Sequence, residues 1–482
     1  MALKLFNSLT RKKEEFKPLE PGKVKIYSCG QTIQEDMHVG NAKTYAAWDV
    51  LNRYLTWKGY DVFHVMNITD VGHLTDDADQ GEDKVEKSAR EKGLIPRELV
   101  TRQIRKFYRE LDELNIKWHN IIPRATGHLP EMIEAVKKII EKGYGYVREG
   151  SVYFDVSKLH KEWKYGVIAR KKVENLKAGA GGRVTKKEMQ EKKSPLDFAL
   201  WIKANPKHIM KWNSPWSVGY PGWHLECSVM STKYLGQHFD IHTGGVDHLF
   251  PHHPNERAQN IAMFNLKKEP VSYWLHSNHL TVNGEKMSKS TGNFYTVEEL
   301  LDDYDGEALR MVFASAHYRS QMDFTLDIMN IAERTLEKLY NTLYRVQNTE
   351  GGERETLKPI INNVKEKFET AMDDDLNTPK ALSILLKFST QINKSLDNKE
   401  ELLNKAEGTL KELGRILGLT FDRLETPLKG KEEALLDLII EVRTKLRTQK
   451  EYQLSDEIRE TLKEIGIELQ DTVQGTTWRK IY

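Results

Sequence analysis

The chain is poor in several features, and each shortage excludes a class of protein. Its 482 residues contain only two cysteines, Cys29 and Cys227, too few for the disulfide framework of a secreted protein. No apolar run approaches the ~18 residues of a membrane-spanning helix. The first residues also lack the apolar core of a secretory signal. The sequence therefore predicts a cytoplasmic protein with no membrane partner.

Neither sign of charge dominates the composition. Lysine and arginine together number 73, and aspartate and glutamate 71. The total charge therefore does not indicate nucleic-acid binding, although a local basic face is compatible with it. The chain is also too long for one hydrophobic core, so about two to four domains are expected.

The apolar pattern of the first third predicts a parallel sheet. Residues 24–30 alternate and end in glycine, as a short strand does, and 40–59 carry the apolar spacing of a buried helix. A second strand is expected at 61–70. Strand, helix and strand in this order form a βαβ unit, the building block of α/β folds.

Further along, the pattern changes twice. A hairpin is expected at 144–156 and a strand at 238–245, whereas the glycine- and lysine-rich stretch 176–193 is typical of a mobile loop. From about residue 330 the pattern is helical. The last fifty residues predict one long helix, a turn at Gly466 and a short extended end.

The segment His38-Val39-Gly40-Asn41 opens the first predicted helix. Helix N-termini present free N–H groups and a partial positive charge, which attract phosphate. Gly40 has no side chain to obstruct a nucleotide, and the His38 imidazole can hydrogen-bond phosphate oxygens. The alternative is that His38 and Asn41 are simply helix-start residues.

A second candidate for phosphate chemistry lies at Lys286-Met287-Ser288-Lys289-Ser290. Two lysines with a hydroxyl between them and glycines on both flanks suit a flexible loop that closes on pyrophosphate and neutralises its charge. The alternative is a solvated charged loop. No GxxxxGK[ST] motif occurs, so ATP would need another cradle.

Together, HVGN and KMSKS resemble the paired signatures of the class I aminoacyl-tRNA synthetases, usually written HIGH and KMSKS. KMSKS matches letter for letter, and Asn41 replaces the second histidine of HIGH. Other blocks resemble the cysteinyl-tRNA synthetase family, and the resemblance covers essentially the whole chain. These blocks are YSCG (27–30), NITD (67–70), PGWHLECSVMSTKYLG (221–236), FDIHTGGVDHLFPHHPNERAQ (239–259), DDDLNTPKA (373–381) and QGTTWR (474–479).

The resemblance implies one zinc ion per chain, bound by Cys29, Cys227, His252 and Glu256 and in direct contact with the thiolate of the substrate. Two thiolates, an imidazole and a carboxylate form a suitable zinc shell, and zinc prefers sulfur to a serine hydroxyl. His253 is the competing ligand. Pro254 suits the first turn of a helix, with His252 just outside it. The alternatives are a closed structural zinc site or two unrelated buried cysteines.

The resemblance also implies roles for other residues. Catalytic roles fall to His38, Asn41, Lys286 and Lys289, and ATP contacts to Gly40, Gly244, Asp247, Lys289 and Ser290. Gly30, Thr69, Trp223 and His242 are expected to bind the amino acid. Trp223 is equally compatible with a core position, and Asp70 with a cap at a strand end. Cationic and aromatic residues of the C-terminal part suit single-stranded RNA, or else are solvated: Arg447, Lys450, Arg459, Trp478, Arg479 and Lys480.

The implied fold is α/β, followed by an all-α bundle and a small mixed C-terminal domain. The expected plan is a Rossmann-type catalytic domain at 1–120 and 215–280, a connective insertion at 121–214, the KMSKS loop and stem-contact region at 281–330, a helical bundle at 331–425 and an anticodon-contacting domain at 426–482.

The implied activity is the ligation of L-cysteine to tRNA(Cys) with ATP, with Mg²⁺ accompanying the nucleotide and a monomer favoured over a homodimer. Two alternatives remain. A ligase with the same core could charge a small amino sugar, but it would not need the helical third. A non-catalytic zinc- or RNA-binding protein would not need KMSKS.

Overall fold

The computed structural model describes residues 2–71, 83–169, 191–287, 293–349, 357–397, 403–422, 432–472 and 475–480. Lys289 and Ser290 lie outside these ranges. The predicted loop at 176–193 also lies outside them, except for residues 191–193. The chain divides into two compact units, Met1–Thr420 and Phe421–Tyr482. No helix within the described ranges combines the length and apolar character needed to cross a membrane.

The elements are as follows. The strands are β1 (Lys4–Asn7), β2 (Lys12–Glu15), β3 (Lys23–Ser28), β4 (Asp61–Met66), β5 (Gly145–Arg148), β6 (Ser151–Phe154), β7 (Phe198–Lys203), β8 (Trp212–Asn213), β9 (Val218–Pro221), β10 (Phe239–Gly245), β11 (Val271–Ser277), β12 (Leu280–Val282), β13 (Glu285–Lys286), β14 (Met322–Phe324), β15 (Ile467–Thr472) and β16 (Gly475–Lys480). The helices are α1 (Val39–Trp57), α2 (Lys84–Glu91), α3 (Pro96–Glu113), α4 (Leu129–Glu141), α5 (Val156–Glu162), α6 (Trp223–Leu235), α7 (His252–Phe264), α8 (Val297–Asp303), α9 (Gly306–Ala314), α10 (Leu326–Gln347), α11 (Leu357–Asp373), α12 (Thr378–Asp397), α13 (Leu403–Ile416), α14 (Glu432–Thr448) and α15 (Tyr452–Glu464).

A four-stranded parallel sheet forms the centre of the first unit. Its strand order is β11-β10-β3-β4, and every neighbouring pair is parallel. The predicted βαβ unit is confirmed as β3-α1-β4, and the expected strand at 238–245 as β10. This arrangement confirms the α/β class. Since parallel strands end at the same edge, the residues after β3 and β10 converge there.

An antiparallel sheet lies between β4 and β10 in the sequence. Its order is β5-β6-β7-β9-β8, and β5 and β6 form the hairpin expected at 144–156. The polypeptide returns from β9 through Gly222 into α6. The insertion therefore leads directly into a helix that packs against the parallel sheet.

The helical part begins earlier than the sequence indicated. Thr325 caps α10 by accepting a hydrogen bond from the Ile328 N–H at 3.2 Å, so the helix begins at Leu326. The expected boundary at residue 330 therefore falls inside α10. The compact first unit extends to Thr420 and includes α11 to α13.

The second unit contains two helices and a hairpin, not the single long helix expected. The chain turns at Lys450, whose φ is +64°, and the Glu451 N–H donates to the Leu446 carbonyl, which ends α14. β15 and β16 then pair as an antiparallel hairpin. Its small core consists of Leu436, Leu462 and Leu469.

A buried ion pair joins α1 to α9. The Arg310 Nη2 donates to Asp49 Oδ2 at 2.6 Å and to the Leu417 carbonyl at 3.1 Å, and both charged side chains are 1% exposed. Gly418, at φ +88°, leaves room for the guanidinium, because a Cβ there would lie 1.9 Å from Arg310 Nη2. Arg310 and Arg53 keep the pKa of Asp49 below its usual value despite its burial.

Replacing Arg310 with alanine is expected to lower the free energy of unfolding by about 3–5 kcal/mol, because Asp49 is left buried without its main partner. Urea denaturation measures the effect. Arg102→Ala is the control, since Arg102 pairs with Glu98 at the surface, where about 1 kcal/mol or less is expected. Equal effects of the two changes would contradict this role for the buried pair.

Candidate active site

Three elements bring the four predicted metal ligands together. Cys29 directly follows β3, and its N–H donates to the Thr243 carbonyl of β10 at 3.1 Å. Cys227 lies in α6, and His252 and Glu256 lie in α7. All four side chains are buried, and their ligand atoms lie within 4.8 Å of one another. The two thiols come from separate elements, with 3.9 Å between their sulfurs, too far apart for a disulfide bond.

The charges within this cluster suit a cation. The hydrogen bond donated by Cys29 lowers the pKa of Cys227, with His252 adding to the effect. Burial opposes ionisation of Glu256, but His242 and His252 hold its pKa well below the usual range. Burial also disfavours a charged His252, yet its contacts with Cys227 and Glu256 raise its pKa to about 10. The lowered pKa values of Cys227 and Glu256 therefore favour negative charge at two side chains that lie close together in a buried space.

One atom of the cluster has no hydrogen bond to any described residue. His252 Nε2 is buried and has no hydrogen-bond partner within the described part of the chain, although it lies 3.1 Å from Glu256 Oε1. A buried ring nitrogen beside a carboxylate oxygen and two sulfurs fits a metal ion, and this mixture of donors is one that zinc takes. The residues present therefore fit the metal that the sequence predicted.

His252 lies in a different position from the one expected. It is the first residue of α7, not a residue outside the helix, because Pro251 takes the cap position. Pro254 still falls in the first turn, where a missing N–H costs nothing. His252 and Glu256 consequently lie one helical turn apart on the same face.

His253 forms a second possible ligand group with Cys29, His242 and Glu256. Its Nε2 lies 3.4 Å from Cys29 Sγ, and its Nδ1 lies 2.9 Å from Nε2 of His276. Burial lowers the pKa of His253 well below its usual value. His242 Nε2 is hydrogen-bonded to the other carboxylate oxygen of Glu256 at 2.8 Å. His242 therefore orients Glu256.

A cavity of about 580 Å³ opens beside this cluster. Its described wall includes seven of the predicted site residues: Cys29, Gly30, His38, Gly40, Asn41, Trp223 and Asp247. Trp223 also packs edge-on against His252, with 4.8 Å between ring centroids. Cys29 of the metal cluster and the start of α1 thus face one space.

Three other predicted residues lie behind the wall. His242 is fully buried against Glu256, and Thr69 donates to Glu226 Oε2 at 2.8 Å. A Cβ on Gly244 would lie 2.5 Å from His248 Nδ1, so this glycine makes room for a histidine ring. Asp70 accepts hydrogen bonds from the N–H and hydroxyl of Thr126, which is the capping role considered from the sequence.

His38 and Asn41 cap α1 reciprocally. His38 Nδ1 accepts from the N–H groups of Gly40 and Asn41 at 3.1 and 3.2 Å, and Asn41 Oδ1 accepts from the His38 N–H at 3.4 Å. This capping matches the alternative considered from the sequence, in which His38 and Asn41 are helix-start residues. Because Nδ1 accepts twice, the proton of the neutral imidazole is assigned to Nε2. Contact with phosphate remains a prediction for both residues.

The described start of the KMSKS motif lies close to the HVGN motif. Lys286 ends β13, which pairs with β12, and Met287 lines the same cavity as His38. A Cβ on Gly40 would lie 3.4 Å from Met287 Cε. The polypeptide therefore enters the predicted lysine loop directly beside the start of α1.

Gly30 is required by close backbone approach. A Cβ at this position would lie 1.7 Å from the Asn67 carbonyl oxygen. The Gly30 N–H also donates to Asn67 Oδ1 at 3.0 Å, and that oxygen lies 3.6 Å from Cys227 Sγ. The segment after β3 is thus held against the segment after β4, which fixes Cys29.

Gly30→Ala is expected to lower both metal content and the free energy of unfolding, the latter by about 1–3 kcal/mol, because the added carbon forces these segments apart. Metal analysis and urea denaturation check the result. Gly127→Ala is the matched control, since a Cβ there meets nothing within 4 Å. Unchanged metal content in Gly30→Ala would contradict the role given to the contact between Gly30 and Asn67.

Several residues at the site were missed by the sequence analysis. His224 Nδ1 lies 2.9 Å from His252 Nδ1, and His248 lines the cavity and accepts from the Gly245 N–H. The histidine-rich run that contains His248 was visible in the sequence, whereas His224 stands alone in its segment. Asn67 had no such signal, since its role depends on a contact between separate strands.

The predicted RNA-contacting residues of the second unit have different surroundings. Arg447 and Lys450 are exposed, whereas Trp478 is half-buried and packs against the Leu436, Leu462 and Leu469 core. Arg459 Nη2 donates to the Leu469 carbonyl at 3.4 Å. Trp478 therefore has a packing role in this unit.

Comparisons with known proteins give the family. Residues 15–334 match the model of the tRNA synthetases class I (C) catalytic domain, and residues 367–422 match the DALR domain. The chain is 44% identical to the cysteine–tRNA ligase of Thermococcus gammatolerans over the full length of both proteins. The chain belongs to the cysteine–tRNA ligase family. It is also 43% identical to a cysteine–tRNA ligase of Thermus thermophilus, over 99% of each chain.

Solved structures show the fold of this cysteine–tRNA ligase family member. It is similar to the methionyl-tRNA synthetase of Mycobacterium tuberculosis in complex with methionyl-adenylate, with a TM-score of 0.58 and 15% identity, covering 87% of this chain and 94% of that one. An Agrobacterium radiobacter LeuRS–tRNA–LeuAMS complex gives a TM-score of 0.58 at 12% identity, covering 84% of each chain. These matches confirm the class I synthetase fold predicted from HVGN and KMSKS.

Proposed function

We propose that this protein is a cysteine–tRNA ligase. The carboxylate of L-cysteine attacks the α-phosphate of ATP to give cysteinyl adenylate and pyrophosphate. A hydroxyl of the terminal adenosine of tRNA(Cys) then accepts the cysteinyl group. The observation that carries the proposal is one cavity lined both by Cys29, a member of the buried sulfur-rich cluster, and by the start of α1.

Amino-acid selection is assigned to the metal cluster, of which Cys29 lines the cavity. Cys29, Cys227, His252 and Glu256 would hold one zinc ion, which when bound supplies a contact that prefers sulfur to a hydroxyl. Trp223 covers this region from the cavity side, where it packs on His252. His242 holds Glu256 in position through a hydrogen bond. Asn67 likewise holds Gly30 and Cys227 in position through its side-chain oxygen.

ATP is assigned to the part of the cavity beside α1. Gly40 lines the cavity at the helix start, and the proton of His38 at Nε2 can be donated to a phosphate oxygen. Asp247 lines the cavity with a side chain that is 80% exposed, so its carboxylate is accessible to a ribose hydroxyl. Mg²⁺ would accompany the nucleotide.

We assign to Lys286 and Lys289 the neutralisation of negative charge on the leaving pyrophosphate. Met287 lies beside Gly40, which supports a loop that reaches the same nucleotide. The reaction needs no protein nucleophile and no general base, because positioning of the carboxylate and neutralisation of the phosphates are sufficient.

Recognition of tRNA(Cys) is assigned to the helical part and the second unit. The match of residues 367–422 to the DALR domain supports a role for the helices in this family. Arg447 and Lys450 are exposed cations suited to a phosphate backbone. We further propose that the enzyme acts in the cytoplasm as a monomer.

Aminoacylation with purified tRNA(Cys), ATP and labelled cysteine tests the proposal. Transfer of cysteine is expected to require both ATP and this tRNA. Omission of tRNA is expected to leave cysteinyl adenylate formation intact. A protein that activates cysteine but transfers it to a small amine instead would overturn the assignment of tRNA as the acceptor.

A further inference from the structure

A second group of candidate metal ligands lies away from the cavity, at the start of α2. Asp83 immediately precedes the helix and Glu86 lies in its first turn, while His208 belongs to the loop between β7 and β8. One ligand atom from each lies within 4.8 Å of the others. The side chains of Asp83, Glu86 and His208 are 0%, 14% and 8% exposed. We call these three residues the Asp83 cluster.

Two buried polar atoms of the Asp83 cluster have no hydrogen-bond partner among the residues that the structure describes. Asp83 Oδ1 caps α2 by accepting from the N–H groups of Val85 and Glu86 at 2.7 and 3.0 Å. The other oxygen, Oδ2, lies 3.4 Å from His208 Nε2, and neither atom forms a hydrogen bond in the described ranges of the chain. Unpaired buried polar atoms are costly, so such a pair calls for an explanation.

The separation of these two atoms matches shared coordination. Oxygen and nitrogen ligands lie about 2.0–2.1 Å from zinc, which places neighbouring ligands of a tetrahedral site roughly 3.4 Å apart. Asp83 Oδ2 and His208 Nε2 are 3.4 Å apart. A carboxylate oxygen of Glu86 lies within 4.8 Å of a ligand atom of each, and Glu86 Oε1 is 3.7 Å from His208 Nδ1. An ion between them would satisfy both unpaired atoms.

The surrounding contacts hold the ligands in place. The His208 ring stacks on Tyr220 at 4.7 Å with an interplanar angle of 22°. Glu86 Oε1 accepts from the N–H groups of Ile209 and Met210 at 2.6 and 3.1 Å, which anchors the loop to α2. Packing and backbone hydrogen bonds thus position the imidazole independently of any ion, as metal sites require.

We propose that the Asp83 cluster binds one divalent zinc ion, a second metal site distinct from Cys29, Cys227, His252 and Glu256. Two carboxylates supply the negative charge that compensates a divalent cation, and one imidazole with two carboxylates suits zinc more than magnesium or calcium. Tyr220 belongs to β9, which leads through Gly222 into α6 and Cys227. Zinc at the Asp83 cluster therefore fastens α2 to the segment that carries a ligand of the first site.

Asp83→Asn is the direct test, because asparagine caps a helix as well as aspartate does but places an amide where the ligand oxygen was. After dialysis against Zn²⁺ and removal of free metal, the parent protein is expected to hold two zinc ions per chain and Asp83→Asn one. Asp305→Asn is the matched control, since Asp305 caps α9 away from the Asp83 cluster, and it is expected to hold two.

Cobalt substitution identifies which ion is lost. The thiolate-to-cobalt absorption of the cysteine-containing site is expected to persist in Asp83→Asn and in the second variant, His208→Gln, while each loses one cobalt per chain. A parent protein that binds a single zinc ion, lost on Cys227→Ser, would overturn the proposal. Retention of two ions by Asp83→Asn and His208→Gln would overturn it as well.

Discussion

Cys227→Ser is expected to remove the metal of the cavity site and to lower kcat/KM for cysteine activation by roughly 10³-fold. Cys227 is the sulfur whose pKa is lowered, by the hydrogen bond from Cys29 and by His252. A serine hydroxyl stays protonated at neutral pH and is a poor ligand for zinc. Loss of the metal would leave a thiol, a carboxylate and two histidines in a buried space.

Metal analysis and cysteine-dependent ATP–pyrophosphate exchange measure the effect of Cys227→Ser side by side. Thr232→Ser on the same helix is the control, because a serine hydroxyl can keep the hydrogen bond that Thr232 makes to the Ser228 carbonyl at 2.7 Å. It should leave both measurements unchanged. A Cys227→Ser variant that keeps its metal while losing activity, or keeps both, would contradict the ligand assignment.

Lys289→Ala is expected to slow adenylate formation by roughly 10²–10³-fold while leaving metal content unchanged. Lys289 lies outside the described residues, so the expectation rests on the sequence and on Met287, which lies beside Gly40 and lines the cavity. Removing one ammonium group would expose the developing negative charge of pyrophosphate. The metal cluster, which lies just after β3 and on α6 and α7, would not be affected.

Single-turnover formation of cysteinyl adenylate separates this effect from product release. Lys267→Ala is a suitable control, because Lys267 is an exposed lysine in the loop after α7. It should change neither rate nor metal content. Equal losses of rate and metal in Lys289→Ala would mean that the loop supports the fold and not the leaving group.

The sequence was sufficient for elements whose pattern is local. The β3-α1-β4 unit followed from apolar spacing, and the β5-β6 hairpin from alternation and turn residues. The single helix expected near the C-terminus was wrong because Lys450 adopts φ +64°. No local pattern predicted that break, since lysine is a good helix former and φ > 0 is uncommon for it.

The candidate site was predictable only in part. Cys29, Cys227, His252 and Glu256 were named from family resemblance, and the structure places them together. The roles of His242 and Asn67 depend on side-chain contacts between separate strands and helices. The Asp83 cluster was missed for the same reason, because Asp83 and His208 lie far apart in the sequence and meet only after the insertion folds.

The central claim is that a sulfur-selecting metal site serves ATP-dependent activation of cysteine. The most direct measurement is ATP–pyrophosphate exchange with cysteine or serine, made on the metal-loaded protein and again after chelation of its metal. We expect exchange with cysteine but essentially none with serine, and loss of the cysteine-dependent exchange on chelation. Exchange that proceeds equally with serine, or that survives complete removal of the metal, would contradict the account.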